Sequence, residues 1–172
     1  MLQTTFQDNF VYEDVTQTRQ PDGSWLLESS CFLPYPIDEV FKFFHDAHNL
    51  ETITPDFLNF EVLTPKPIEM RTGALIDYRL RLHGIPLRWR TEIRDWNPPH
   101  SFVDNQLSGP YREWHHTHKF VAQDGGTLCT DQVRYRVYGG ALIQRMLVKS
   151  DVDRIFRYRL KRMHQLFPDK NR

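Results

Sequence analysis

The spacing of apolar residues changes once along this chain, and the change fixes its architecture. Between Gly73 and Val137 hydrophobic side chains recur at every second position in segment after segment; beyond Gly139-Gly140 they recur every third and fourth. The first spacing is that of strands with one dry face, the second that of an amphipathic helix. "GALIDYRLRLHG" gathers Ala74, Ile76, Tyr78, Leu80 and Leu82 on one side, with Asp77, Arg79 and Arg81 on the other. A reversal at Gly84 and Pro86 leads into "PLRWRTEIRDW", where Trp89, Thr91 and Ile93 oppose Arg88, Arg90, Glu92 and Arg94. "SFVDNQLSGPYREWHHTHKFVAQ" supplies two further strands around Gly109-Pro110, and "DGG" turns the chain into "TLCTDQVRYRVY". Tight turns between half-wet strands make an antiparallel meander. Leu142, Ile143, Met146, Leu147, Val152, Ile155, Phe156, Leu160, Met163 and Phe167 then describe one long helix from 141 to 167. Its basic residues Arg145, Lys149, Arg154, Arg157, Arg159, Lys161 and Arg162 are expected on the solvated side.

Upstream, "SWLLESSCFL" alternates as a strand, and "PYPIDEVFKFFHDAHNLETITP" reads as a pair of short helices. Pro36 suits a helix start, Asp38 and Glu39 complement the dipole of the first turn, and Ile37, Val40, Phe41 and Phe44 share a face that Pro55 ends. "FEVLTP" is a further strand. Residues 1–23 are polar and close on the turn "QPDG", so they are expected as an N-terminal arm or an extra edge strand; 24–168 form one domain and 169–172 a tail. The whole is α+β: a curved antiparallel sheet of about six to seven strands around a long C-terminal helix, with two short helices after the first strand.

Twenty-two basic residues balance twenty-two acidic ones, which leaves no global field to draw nucleic acid or anionic lipid. The arginines of the hairpin lie opposite Tyr78 and Trp89 by parity, whereas single-stranded nucleic acid needs aromatic and basic groups together. Cys31 and Cys129 stand in no metal-binding or disulfide spacing. No apolar run approaches the roughly 20 residues of a membrane span, and no leader pattern opens the chain. Together these point to a soluble, cytoplasmic protein without stable membrane insertion, a monomer or homodimer.

The order of elements and the wording of "PIDEVFKFFHDAHNLETITP", "GALIDYRLRLHGIPLRWRTEI", "FVDNQLSGPYREWHHTHKF" and "YGGALIQRML" resemble the SRPBCC superfamily over roughly 24–168. That superfamily holds START-type, polyketide-cyclase-like and pollen-allergen-like domains; the chain is most similar to its small bacterial ligand-binding cyclase/dehydrase-like branch. The resemblance implies a helix-grip fold, in which the sheet wraps the last helix and leaves a cavity for a hydrophobic ligand: lipid, quinone or polyketide-like.

"EWHHTHKF" carries the chemistry. Parity puts Trp114, His116, His118 and Phe120 on the cavity side and leaves His115 toward solvent. The same counting adds Phe102, Asp104 and Gln106 from one neighbouring strand and Asp131, Val133, Tyr135 and Val137 from the other. A ligand site would thus draw on Tyr78, Leu80, Trp89, Phe102, Asp104, Gln106, Trp114, His116, His118, Asp131 and Tyr135. Three uses of the polar cluster compete: a satisfied buried network, in which Asp104 and Asp131 fix the histidine tautomers; the polar end of a ligand site; and a metal centre on His116 and His118 with Asp104 or Asp131 as third ligand. The expectation is the first two, with no metal and no cofactor. An enzyme would use the same groups, with His116, His118 and Asp104 as the catalytic candidates for cyclase, dehydratase or hydrolase chemistry by general acid and base. No GxSxG elbow and no glycine-rich phosphate loop is present, and His45 and His48 suit a solvated helix end. Access is expected through "TPDFLNFEVLTPKPIEMRTG" and a hinge at Gly139-Gly140.

Overall fold

The structure is a computed structural model and describes residues 14–139 and 143–169. Its strands are β1 Asp14–Arg19, β2 Trp25–Leu33, β3 Glu61–Val62, β4 Leu75–Leu82, β5 Ile85–Asn97, β6 Ser101–Ser108, β7 Tyr111–Gln123 and β8 Gly126–Val137; its helices are α1 Ile37–His45 and α2 Lys149–Leu166. A 3-10 segment, Ala47–Ile53, follows α1, and Pro55 opens a second one, Asp56–Leu58, instead of simply ending the helical region. The eight strands form one antiparallel sheet in the order β1-β2-β8-β7-β6-β5-β4-β3. This is the α+β helix-grip arrangement, with eight strands where six or seven were expected. The surplus is at the edges: β1 pairs with β2, and β3 is two residues whose strand character comes from pairing with Tyr78 and Arg79.

The parity read from the sequence holds through the meander. Ile76, Tyr78, Leu80, Ile93, Phe102, Phe120, Val133 and Tyr135 are buried. The opposite face carries the ion pairs Arg90–Asp77 (2.7 Å), Arg94–Glu92 (2.8 Å) and Arg79–Glu61. All three are exposed, and such pairs contribute at most about 1 kcal/mol each. Register shifts at Arg90/Thr91, Arg94/Asn97 and Tyr111/Glu113 mark bulges, which bend their strands and give the sheet a concave side.

On that side α1 packs Phe41 against Phe120 (5.4 Å between centroids) and Trp96 (5.3 Å), and Phe44 against Phe120 (4.8 Å). α2 lays Val152, Phe156, Leu160 and Met163 into the remaining hollow. Burying each such side chain contributes about 1.5–3 kcal/mol. The last helix departs from its expected form in its first turns. Gln144–Val148 are π-helical, with the Lys149 N–H donating to the Gln144 carbonyl, so a stripe counted at a constant 3.6 residues per turn does not carry through. Gln144 is fully buried, whereas Ile143, Met146 and Leu147 are exposed. Leu142 and Gly140 of the expected stripe and hinge lie outside the described residues. No helix among the described residues is long and apolar enough to cross a membrane.

Candidate functional site

β6, β7 and β8 are adjacent, and their register sets Asp104 opposite His116 and Asp131 opposite His118. The hydrogen bonds run along the diagonals instead. His116 Nε2 lies 2.8 Å from Asp131 Oδ1, and His118 Nε2 lies 2.9 Å from Asp104 Oδ2. His118 Nδ1 is also 3.0 Å from Asp131 Oδ1, at ion-pair distance but outside hydrogen-bond geometry. Crossing the diagonals brings the two imidazoles together, centroids 3.8 Å apart, with His118 also stacked against Phe102 at 4.2 Å. Both histidines are buried; His115, expected toward solvent, is half-buried.

Burial, then the neighbouring His118, pushes the His116 pKa down to about 4, so this ring is neutral at pH 7. Burial acts on His118 in the same sense, but its hydrogen bond to Asp104 and the adjacent Asp131 carboxylate prevail and raise its pKa above the usual histidine value. Against their own burial, Asp131 and Asp104 are held below the carboxylate range by those histidines. His116 thus donates from Nε2–H to Asp131 and keeps Nδ1 as a lone pair, since a neutral imidazole carries one proton.

Beside the cluster a cleft opens between the sheet and α2, with about 800 Å³ of space outside the atoms, counting its solvent-open part. Tyr78, Leu80, Trp89, Asp104, Trp114 and His116 face it from the sheet, and Val152, Phe156 and Arg159 from α2. Phe102 and His118 line a smaller adjoining pocket under α1, and Asp131 a third beside Cys31 and Cys129; Arg159 reaches all three. His83 Nε2, at the β4–β5 turn, lies 2.7 Å from Asp151 Oδ2 and ties that hairpin to α2.

Residues 33–164 match the family described as polyketide cyclase / dehydrase and lipid transport. The chain belongs to this family. Among solved structures it is similar to protein Ms6760 from Mycobacterium smegmatis, at 19% identity and a TM-score of 0.65 over 89% of this chain and 97% of that one. Ara h 8.0201 gives 16%, 0.62, 84% and 98% by the same measures, and the major latex-like protein 151 from Panax ginseng gives 12%, 0.62, 86% and 99%. These likenesses carry the fold. No curated protein matches.

In this member of the polyketide cyclase / dehydrase and lipid transport family, two of the expected site residues stand behind the cleft wall. The Gln106 amide donates to the Tyr111 carbonyl at 2.7 Å and so braces the β6–β7 turn. The Tyr135 hydroxyl donates to Gln17 Oε1 and accepts from Gln144 Nε2, each at 2.6 Å, and Tyr135 is fully buried. Strand parity tells which face a residue occupies but not whether its tip reaches the hollow or a neighbour.

The sequence reading misses Arg159. It was expected on the solvated side of α2, yet its Nε and Nη1 are buried. The signal was present: Val152, Phe156, Arg159 and Met163 are spaced by four, three and four, which is the core stripe itself. Asp104, His116 and His118 could each offer one atom to a cation, all within 4.8 Å of one another. A cation there would sit beside two histidines already hydrogen-bonded to carboxylates and within Coulombic reach of Arg159. The donor set fits a carboxylate-clamped histidine pair better than a metal centre.

Proposed function

We propose that this protein binds a small hydrophobic or aromatic molecule, of the lipid, quinone or polyketide kind, in the cleft between sheet and α2, as its carrier or sensor. The observation that carries this reading is an apolar cleft whose only histidine, His116, has its proton committed to Asp131. Membership of a family described by cyclase, dehydrase and lipid-transport activities supports a small hydrophobic ligand.

A cyclase, dehydratase or hydrolase using His116 and His118 as acid and base is the second reading, and the unprotonated Nδ1 of His116 favours it. Against it, a base with a pKa of about 4 is weak at neutral pH, and both nitrogens of His118 face carboxylates. Access passes by residues 54–73, whose Thr54, Leu58 and Phe60 line the cleft and whose Phe57 lies under the Arg154 guanidinium at 4.1 Å. Hydrogen exchange is expected to be faster there than in β7 and β8.

Native mass spectrometry of the purified protein, compared with the denatured chain, tests the carrier reading. An organic mass lost on denaturation is expected; a chain that binds no hydrophobic probe at all would overturn it.

A further inference from the structure

Three buried nitrogens on residues that line the cleft have no hydrogen-bond partner among the described residues: Nε and Nη1 of Arg159, and Nε1 of Trp89. All three are donors and none can accept. A buried donor without an acceptor keeps its full desolvation cost, so this cleft is built around something that supplies acceptors. Three other polar side chains on the wall already have partners. Thr54 donates to the Leu50 carbonyl, His116 to Asp131, and Asp104 accepts from His118.

An arginine in a pocket ordinarily suggests an anionic ligand. The surroundings of Arg159 argue otherwise. Asp104 and Asp131 bring two negative charges into the same buried region, and with His116 neutral the positive charges there are at most Arg159 and His118. The region carries no surplus positive charge, and a ligand carboxylate would add an uncompensated anion to it, which burial opposes. The two unmet nitrogens of Arg159 also lie on different edges of the guanidinium, whereas a carboxylate fork uses one edge. Separate oxygen atoms fit them better.

Building on the binding function proposed above, we propose that the cleft selects an uncharged ligand whose polar groups are oxygen acceptors, ketone or ester carbonyls, held by Arg159 and by the indole N–H of Trp89. The apolar walls take the hydrocarbon body, and the donors fix its orientation. Arg159 is a ligand-binding residue here, placed by the same helical stripe that builds the core.

Three naphthalene probes of matched size test this by calorimetric titration: 2-acetylnaphthalene, 2-ethylnaphthalene and 2-naphthoate. The wild-type protein is expected to bind the ketone about tenfold or more tighter than the hydrocarbon, the ordinary effect of a hydrogen bond from a charged donor, and tighter than the carboxylate. Arg159→Met is expected to bring the ketone down to the hydrocarbon's affinity while leaving the hydrocarbon within about twofold; Arg159→Gln serves should the methionine variant not fold. Trp89→Phe, which keeps a ring and removes the N–H, is expected to reduce the ketone preference further. Equal affinity for ketone and hydrocarbon, tightest binding of 2-naphthoate, or a ketone preference that survives loss of Arg159 would overturn the inference and leave the carrier reading standing. Failure of all three probes to bind would overturn both.

Discussion

The imidazoles of His116 and His118 lie 3.8 Å apart, and each is hydrogen-bonded to the carboxylate that stands across the sheet from the other. Two buried histidines this close cannot both be cationic at little cost, so burial and charge push their pKa values apart. The folded pKa of His116, about 4, lies below the unfolded value near 6.5. Its contribution is complete above pH 6.5 and falls by about 3 kcal/mol as the pH drops toward 4. His118, raised, contributes below pH 6.5 and loses that contribution as the pH rises through its folded value. The pair should therefore give a stability maximum near pH 6.5. Denaturant midpoints between pH 4.5 and 9, a window above the titration of the two carboxylates, are expected to show it. His116→Gln should flatten the acid limb and His118→Gln the alkaline one; stability that climbs from pH 6.5 to 5 would contradict the assignment.

Asp131 and Asp104 are not equivalent. Asp131 Oδ1 lies 2.8 Å from His116 Nε2 and 3.0 Å from His118 Nδ1, and Oδ2 accepts from Ser29 at 3.4 Å, whereas the Asp104 carboxylate, among the described residues, is hydrogen-bonded to His118 alone. Asp131→Asn removes the charge that both histidines face and should cost about 3 kcal/mol; Asp104→Asn should cost less. Urea unfolding gives the ranking. Titration of the His118 ring by NMR gives an independent check, since its pKa should fall in either variant.

Placement of Trp114, His116, His118 and Phe120 on one buried face was legible in the sequence because a strand's parity is a local property. The choice of diagonal partners was not, since it depends on how two neighbouring strands tilt their side chains. Tyr135 shows a longer-range limit: its hydroxyl is held by Gln17, 118 residues earlier, and by Gln144, in a π turn that no constant helical period reproduces. Arg159 was legible in its spacing and obscured by its chemistry, because a charged residue on a core stripe is ordinarily assigned to solvent.

That Tyr135 contact joins three parts of the fold, for Gln17 also donates from Nε2 to the Lys149 carbonyl at the start of α2. Tyr135→Phe leaves Gln144 Nε2 without its partner, beside an Oε1 that already has none among the described residues. A cost of about 1–3 kcal/mol is expected from thermal or urea unfolding. Faster hydrogen exchange should be confined to β1 and residues 144–149; uniform acceleration across the sheet would mean that the hydroxyl supports the core rather than this junction.

The β6–β7 turn tests whether the cleft mouth depends on a side-chain brace. Gln106 spans the turn, donating to the Tyr111 carbonyl at 2.7 Å and accepting from the Tyr111 N–H at 3.4 Å. A Cβ on Gly109 would stand 2.4 Å from Gln106 Oε1 and 2.7 Å from its Cδ. The amide cannot swing aside without giving up both bonds, and Tyr111, which it holds, lines the cleft with the neighbouring Pro110. Gly109→Ala should cost about 1–2 kcal/mol of stability and weaken binding of 2-acetylnaphthalene. The double variant Gln106→Ala, Gly109→Ala separates clash from backbone effect. Gln106→Ala removes the three atoms nearest that Cβ, so the double variant should be as stable as Gln106→Ala alone. A further loss in the double variant would place the cost of Gly109→Ala in the turn backbone and not in the brace.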